Sequence, residues 1–157
     1  MSKSYRVKMA DYYVGKSPDI IVTIGLGSCI GIALYDKINK VGGLVHIMLP
    51  ENKKGLKPAK YADSGIPFLI DKMLELGAER SNIVAKIAGG AHMFSSAGDM
   101  NIQIGKRNIE AVIKILNDLE IRILGKDLGE NYGRTMEFYT EDGTVLIKSY
   151  KKGNKNI

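Results

Sequence analysis

A single cysteine, two histidines, four prolines and no tryptophan stand among the 157 residues of this chain. One cysteine excludes an internal disulfide and every CxxC-based zinc or redox motif. Two histidines without HxH or HExxH spacing leave Cys29, His46 and His92, with a carboxylate as fourth, as a weak set of metal ligands. No apolar run approaches the length of a membrane span. The first residues lack the basic-then-apolar pattern of a signal peptide. No basic helix with interleaved aromatics and no nucleic-acid motif is present. These absences predict a cytoplasmic protein without membrane insertion, nucleic-acid partner, metal or cofactor.

What is present is ordinary in amount. Hydrophobic residues make up 45% and charged residues 25% of the chain, which suits one globular domain over residues 1–157 with a core of its own. The net charge is +6, from 23 Lys and Arg against 17 Asp and Glu. Part of the excess sits in Lys53, Lys54, Lys57 and Lys60, and part in Lys151, Lys152 and Lys155. Such runs are usually solvated, so residues 151–157 read as a flexible basic tail. Acidic protein surfaces stay open as partners.

In chain order, residues 5–9 and 11–14 read as short strands, and Lys16-Ser17-Pro18-Asp19 as a turn. A β-branched run at 20–24 leads into a glycine-rich turn at 25–31. Residues 30–35 are apolar and extended, 36–41 turn, and 42–49 return as a strand. A lysine-rich loop at 50–60 is long enough to be a flap. Ser64 reads as the cap of a helix with Pro67 in its first turn, a stripe of Ile66, Leu69, Ile70 and Met73, and Gly77 at its end. A strand at 82–88 runs into Gly89-Gly90-Ala91-His92. A loop at 95–105 precedes a helix at 107–119 with Ile109, Val112, Ile113, Leu116 and Leu119 on one face. A strand at 121–124, a loop at 125–133 and a hairpin of 135–139 with 145–150 complete the chain. The pattern predicts an α/β domain in which two helices cover either one mixed sheet or a pair of sheets.

Two residue types in this pattern point to chemistry. Cys29 lies in Gly25-Leu26-Gly27-Ser28-Cys29-Ile30-Gly31, where small residues leave the sulfur and backbone uncrowded. A cysteine nucleophile acts as thiolate and needs a base, for which histidine is the usual partner. If the chain turns at 36–41, Tyr35 faces Gly42, His46 faces Gly31, and Cys29 is a diagonal neighbour of the imidazole. The glycine turn would supply backbone N–H donors for an oxyanion. Gly27-Ser28-Cys29-Ile30-Gly31 matches the nucleophile-elbow spacing, but no helical stripe follows it. Thr23, on an adjacent strand, is a candidate to orient the imidazole; Asp36, Asp63 and Ser28 are alternatives by spacing. Plainer readings stand beside these: a lone cysteine as a small buried hydrophobe, and His46 as a core histidine. A dinucleotide site at Gly25-x-Gly27 lacks the helix it needs.

From about Tyr12 to Tyr150 the chain resembles CheD, the chemoreceptor glutamine deamidase family. The resemblance rests on Thr23-x-Gly25-Leu26-Gly27-Ser28-Cys29 and on Gly43-Leu44-Val45-His46-Ile47-Met48-Leu49-Pro50. Lys60-Tyr61-Ala62-Asp63, Lys86-Ile87-Ala88-Gly89-Gly90-Ala91, Asn101-Ile102, Gly105, Arg107-Asn108 and Asp127-Leu128-Gly129 extend it. It implies a hydrolase with Cys29 as nucleophile, His46 as general base and acid, and Thr23 orienting the imidazole. It implies an α/β sandwich similar to the catalytic domain of deamidating toxins. The implied substrates are glutamines on the cytoplasmic helices of chemoreceptors, converted to glutamate with release of ammonia. Receptor methyl esters are a further substrate reported for some members. The implied partner is the chemotaxis phosphatase CheC. His92 stands where a smaller residue is common in the family and receives no role. Two other functions compete: a non-catalytic regulator that holds CheC or a receptor helix, and a thiol protease or acyl transferase using the same site.

Overall fold

The computed structural model describes residues 3–93 and 99–157. Short strands β1 (Ser4–Val7) and β2 (Tyr12–Lys16) come first, broken at Ala10, whose φ is 60°. The β-branched run forms β3 (Ile20–Leu26), then β4 (Ile30–Asp36) and β5 (Val41–Ile47) form a hairpin. Helix α1 (Ala62–Glu75), β6 (Ile83–Gly89) and helix α2 (Asp99–Asp118) follow. The chain closes with β7 (Ile123–Leu128), β8 (Arg134–Tyr139), β9 (Val145–Ser149) and β10 (Gly153–Asn156).

The strands form two mixed sheets, ordered β1-β3-β8-β9-β10 and β2-β5-β4-β6-β7. Of the two architectures the pattern allowed, the paired sheets are present. Every residue of β4 and β5 is buried, which requires cover on both faces of their sheet. Ile30, Ile32 and Leu34 pack with Ile66, Leu69, Ile70 and Met73 of α1 and Val112 and Leu116 of α2. Cys29, Ala33, Tyr35 and Leu44 pack instead with Ile21, Leu26, Met136, Phe138 and Val145 of the other sheet. Alternation along one strand therefore feeds two cores, with helices outside one sheet and the second sheet behind it.

Several expectations shift. Helix α1 begins two residues before Ser64 and takes its first donors' acceptors from the backbone: Ala62 N–H donates to Leu49 O and Asp63 N–H to Pro50 O. Ser64 is no cap; its Oγ donates to Pro58 O, and Pro67 lies inside the helix rather than in its first turn. The loop at 50–60 is tied down by Asn52, which bonds Asp63, Leu56 and Ser64. The loop expected at 95–105 is helical from Asp99 onward, and residues 95–98 lie outside the described residues. Strand β7 runs to Leu128, into the stretch expected to be loop, because it pairs in parallel with β6 as far as Gly89↔Leu128. The expected flexible tail holds β10, which pairs with β9. Local composition carried no trace of these long-range pairings.

Candidate active site

The hairpin of β4 and β5 sets the site. Its register pairs Tyr35 with Gly42 and Gly31 with His46, as the turn position predicts. A side chain at Gly31 would meet Met136 Sδ at 2.7 Å and Thr23 Cγ2 at 3.4 Å. The missing side chain opens room for the imidazole and threonine in the layer between the sheets.

Thr23 reaches His46 from the opposite sheet, not from an adjacent strand. Strand β3 lies beside β1, pairing Val7 with Thr23. The chain then crosses from one sheet to the other at residues 8–11. In crossing, Ala10 N–H donates to His46 O, and His46 N–H donates to Asp11 O. That crossing clamps the histidine strand to the threonine strand.

Thr23 Oγ1 donates its proton to Val7 O at 2.7 Å and lies 2.7 Å from His46 Nδ1. A hydroxyl has one proton. With that proton given to Val7, Oγ1 can only accept from His46, so the imidazole carries its hydrogen on Nδ1. Nε2 is then a bare lone pair, and among the described residues it has no hydrogen-bond partner. Both Thr23 and His46 are fully buried. Burial lowers the pKa of His46 to about 4, so the ring is neutral at neutral pH. Two of the three alternative orienters serve elsewhere: Asp36 accepts N–H bonds from Ile38, Asn39 and Glu79, and Asp63 accepts from Asn52.

Cys29 sits in the turn between β3 and β4, 8% exposed, and belongs to the same inter-sheet cluster as Leu44 of β5. Burial pushes its thiol above the ordinary range. At rest Cys29 is therefore a protonated thiol and His46 a neutral imidazole, not a preformed ion pair, and no hydrogen bond joins His46 Nε2 to Cys29. A strand follows Cys29, so the elbow geometry is absent.

The turn itself is pinned from behind. Ala91 N–H donates to Gly27 O at 2.8 Å and Gly90 N–H to Cys29 O at 2.9 Å. Asn108 Nδ2 donates to Ser28 O at 2.9 Å. Gly89 and Gly90 have φ of 119° and 73°, and a Cβ at Gly89 would lie 2.1 Å from Cys29 O. Only glycine allows that backbone approach. Among the described residues, Ser28 and Cys29 N–H donate to no backbone carbonyl. Sequence reasoning noticed the Gly89-Gly90 pair without seeing that it grips the cysteine turn; a glycine pair at a strand end was the available signal. His92 is exposed, with its backbone N–H donating to Glu130 O.

A family model described as CheD chemotactic sensory transduction matches residues 48–149. A protein of Clostridium tetani named probable chemoreceptor glutamine deamidase CheD is 55% identical over 159 residues, covering 99% of this chain and 96% of its own. Proteins of the same name from Caldanaerobacter subterraneus subsp. tengcongensis and Lachnoclostridium phytofermentans are each 52% identical. The first covers 99% of both chains and the second 100% of both. The chain belongs to the CheD family. The family model's match begins at Met48, so the segment holding Thr23, Cys29 and His46 lies before it and is spanned by the CheD relatives. Among the described residues no helix is long and apolar enough to cross a membrane.

Proposed function

We propose that this chain deamidates glutamine side chains on the cytoplasmic helices of chemoreceptors, with Cys29 as nucleophile, His46 as base and acid, and Thr23 orienting the imidazole. The reading is carried by one observation: Thr23 Oγ1 lies 2.7 Å from His46 Nδ1 while Nε2 has no partner among the described residues. A core histidine without chemistry would have both ring nitrogens satisfied or exposed.

Because thiol and imidazole are both neutral at rest, the proton moves as the substrate arrives. Cys29 Sγ attacks the glutamine side-chain carbonyl carbon while its proton passes to His46 Nε2. The carbonyl electron pair goes onto oxygen, facing the N–H groups of Ser28 and Cys29, which donate to no carbonyl among the described residues. On collapse, the C–N bond breaks and the imidazolium gives its proton to the departing amide nitrogen, releasing ammonia. Water attacks the thioester, giving a proton to Nε2. The C–S bond then breaks to glutamate, and Cys29 regains its proton from His46.

The groove bordered by Leu49, Pro50, Lys53, Asp63, Arg107 and Lys114 continues from the end of β5 and α2. The reaction belongs in the cytoplasm, where the receptor helices are. The resemblance supports CheC as a binding partner.

A second reading, a non-catalytic regulator that holds CheC or a receptor helix, draws on the burial of Cys29 and its raised thiol pKa. Hydroxylamine separates the two. A thioester partitions to this nucleophile and leaves a hydroxamate on the substrate glutamine. A receptor cytoplasmic fragment mapped after turnover with hydroxylamine should carry that hydroxamate. Glutamate formation without any hydroxamate would remove the thioester, and neither product would leave the regulator.

A further inference from the structure

We propose that Asn108 is the positioning residue of the oxyanion site, fixing the Ser28–Cys29 peptide so that the Cys29 N–H faces the substrate carbonyl. This rests on the assignment of Cys29 as nucleophile. In a trans peptide the C=O and the following N–H point in opposite directions. Whatever holds Ser28 O therefore sets the direction of Cys29 N–H. Asn108 Nδ2 holds it at 2.9 Å, from the middle of α2.

The same logic covers the neighbouring peptide, where Ala91 N–H holds Gly27 O and so turns Ser28 N–H outward. That peptide is held by backbone, whereas the Ser28–Cys29 peptide is held by a side chain. It is the one that substitution can release.

Asn108 is fully buried. Its second amide hydrogen goes to Met48 O at 3.0 Å, just past His46 and Ile47 of β5. One amide group thus bridges the nucleophile turn and the exit of the histidine strand. Both neighbours are carbonyls, so the amide nitrogen must face them, and Oδ1 is left buried without a partner among the described residues. Burying an unpaired acceptor costs free energy, so the amide's packing alone does not account for an asparagine here. An apolar side chain of the same size would avoid that penalty, but it would not donate to Ser28 O.

The sequence makes room for this reach. Gly105 lies one turn before Asn108 on the same helix face. A Cβ there would sit 2.6 Å from Ala91 O and 2.7 Å from Gly90 O. The bare glycine lets α2 press onto the Gly90-Ala91 backbone and carries Asn108 to Ser28.

The test compares wild type with Asn108→Leu, which keeps the branched heavy-atom shape and removes the donor, on a receptor cytoplasmic fragment. Iodoacetamide alkylation of Cys29 at pH 9 is measured in parallel, because that displacement forms no oxyanion. The expected result is a kcat lower by about 10²- to 10³-fold, the range for loss of one oxyanion donor. KM and the alkylation rate should stay near wild type. A kcat near wild type, or an alkylation rate that falls with kcat, would overturn the assignment. If Asn108→Leu does not fold, Asn108→Ala replaces it; failure of both to fold would make the residue structural and also overturn it. A Cys29→Ala control that still deamidates would remove the nucleophile instead, leaving a result distinct from either Asn108 outcome.

Discussion

Thr23 has one hydroxyl proton, and Val7 O takes it. Everything proposed for His46 follows from that, because a threonine acceptor leaves the base nitrogen bare. Thr23→Val keeps the shape and strands Nδ1–H. It should lower kcat on a receptor fragment by about 10²-fold, the low end of what positioned acid–base catalysis contributes, while Thr23→Ser retains activity. Steady-state kinetics of the two variants decides this. Cys29 carries the complementary prediction. Its thiol is raised by burial, so alkylation by iodoacetamide at pH 7 should be slower than that of a free cysteine and still climbing past pH 9. A plateau below pH 8 would mean an activated thiolate. The residue types were legible in the sequence, since a lone cysteine among glycines and a histidine in an apolar strand are conspicuous. The Thr23 role was open between four candidates, because spacing does not say which side chains meet across two sheets.

The hairpin of β4 and β5 was legible down to its pairing, because a short turn between two apolar strands leaves little freedom in register. The grip of β6 on the cysteine turn was not, since it joins residues some sixty positions apart in the chain, as Gly90 N–H to Cys29 O illustrates. Gly89 makes the cost of that grip testable. Its φ of 119° and a Cβ 2.1 Å from Cys29 O rule out relief by side-chain movement. Gly89→Ala should lose on the order of 3 kcal/mol in urea unfolding and most of its activity, whereas an unchanged midpoint would mean that the turn is free. Helix starts were the least legible elements. Helix α1 is capped by the carbonyls of Leu49 and Pro50, and no side-chain motif announces a backbone cap.

At the scale of the molecule, the buried imidazole links the site to stability. The folded chain holds His46 at about 4, against an ordinary 6.5. Between those values the unfolded chain binds the proton and the folded chain does not. Stability is therefore full above pH 6.5 and falls as pH drops toward 4, by about 3 kcal/mol over the window. Urea midpoints of wild type and His46→Asn across pH 4 to 7 check this; the variant should lack that part of the slope. The paired-sheet architecture is what makes the penalty possible, since it closes both faces of β5. The sequence indicated an α/β domain with helices on the outside but left the number of sheets undecided, because the same strands serve either plan. The claim on which all of this turns is that Cys29 opens the glutamine amide. Peptide mapping of a receptor cytoplasmic fragment, incubated with wild type and with Cys29→Ala, tests it most directly. Glutamate is expected at defined glutamine positions with wild type and none with the variant. Conversion by both proteins would contradict it.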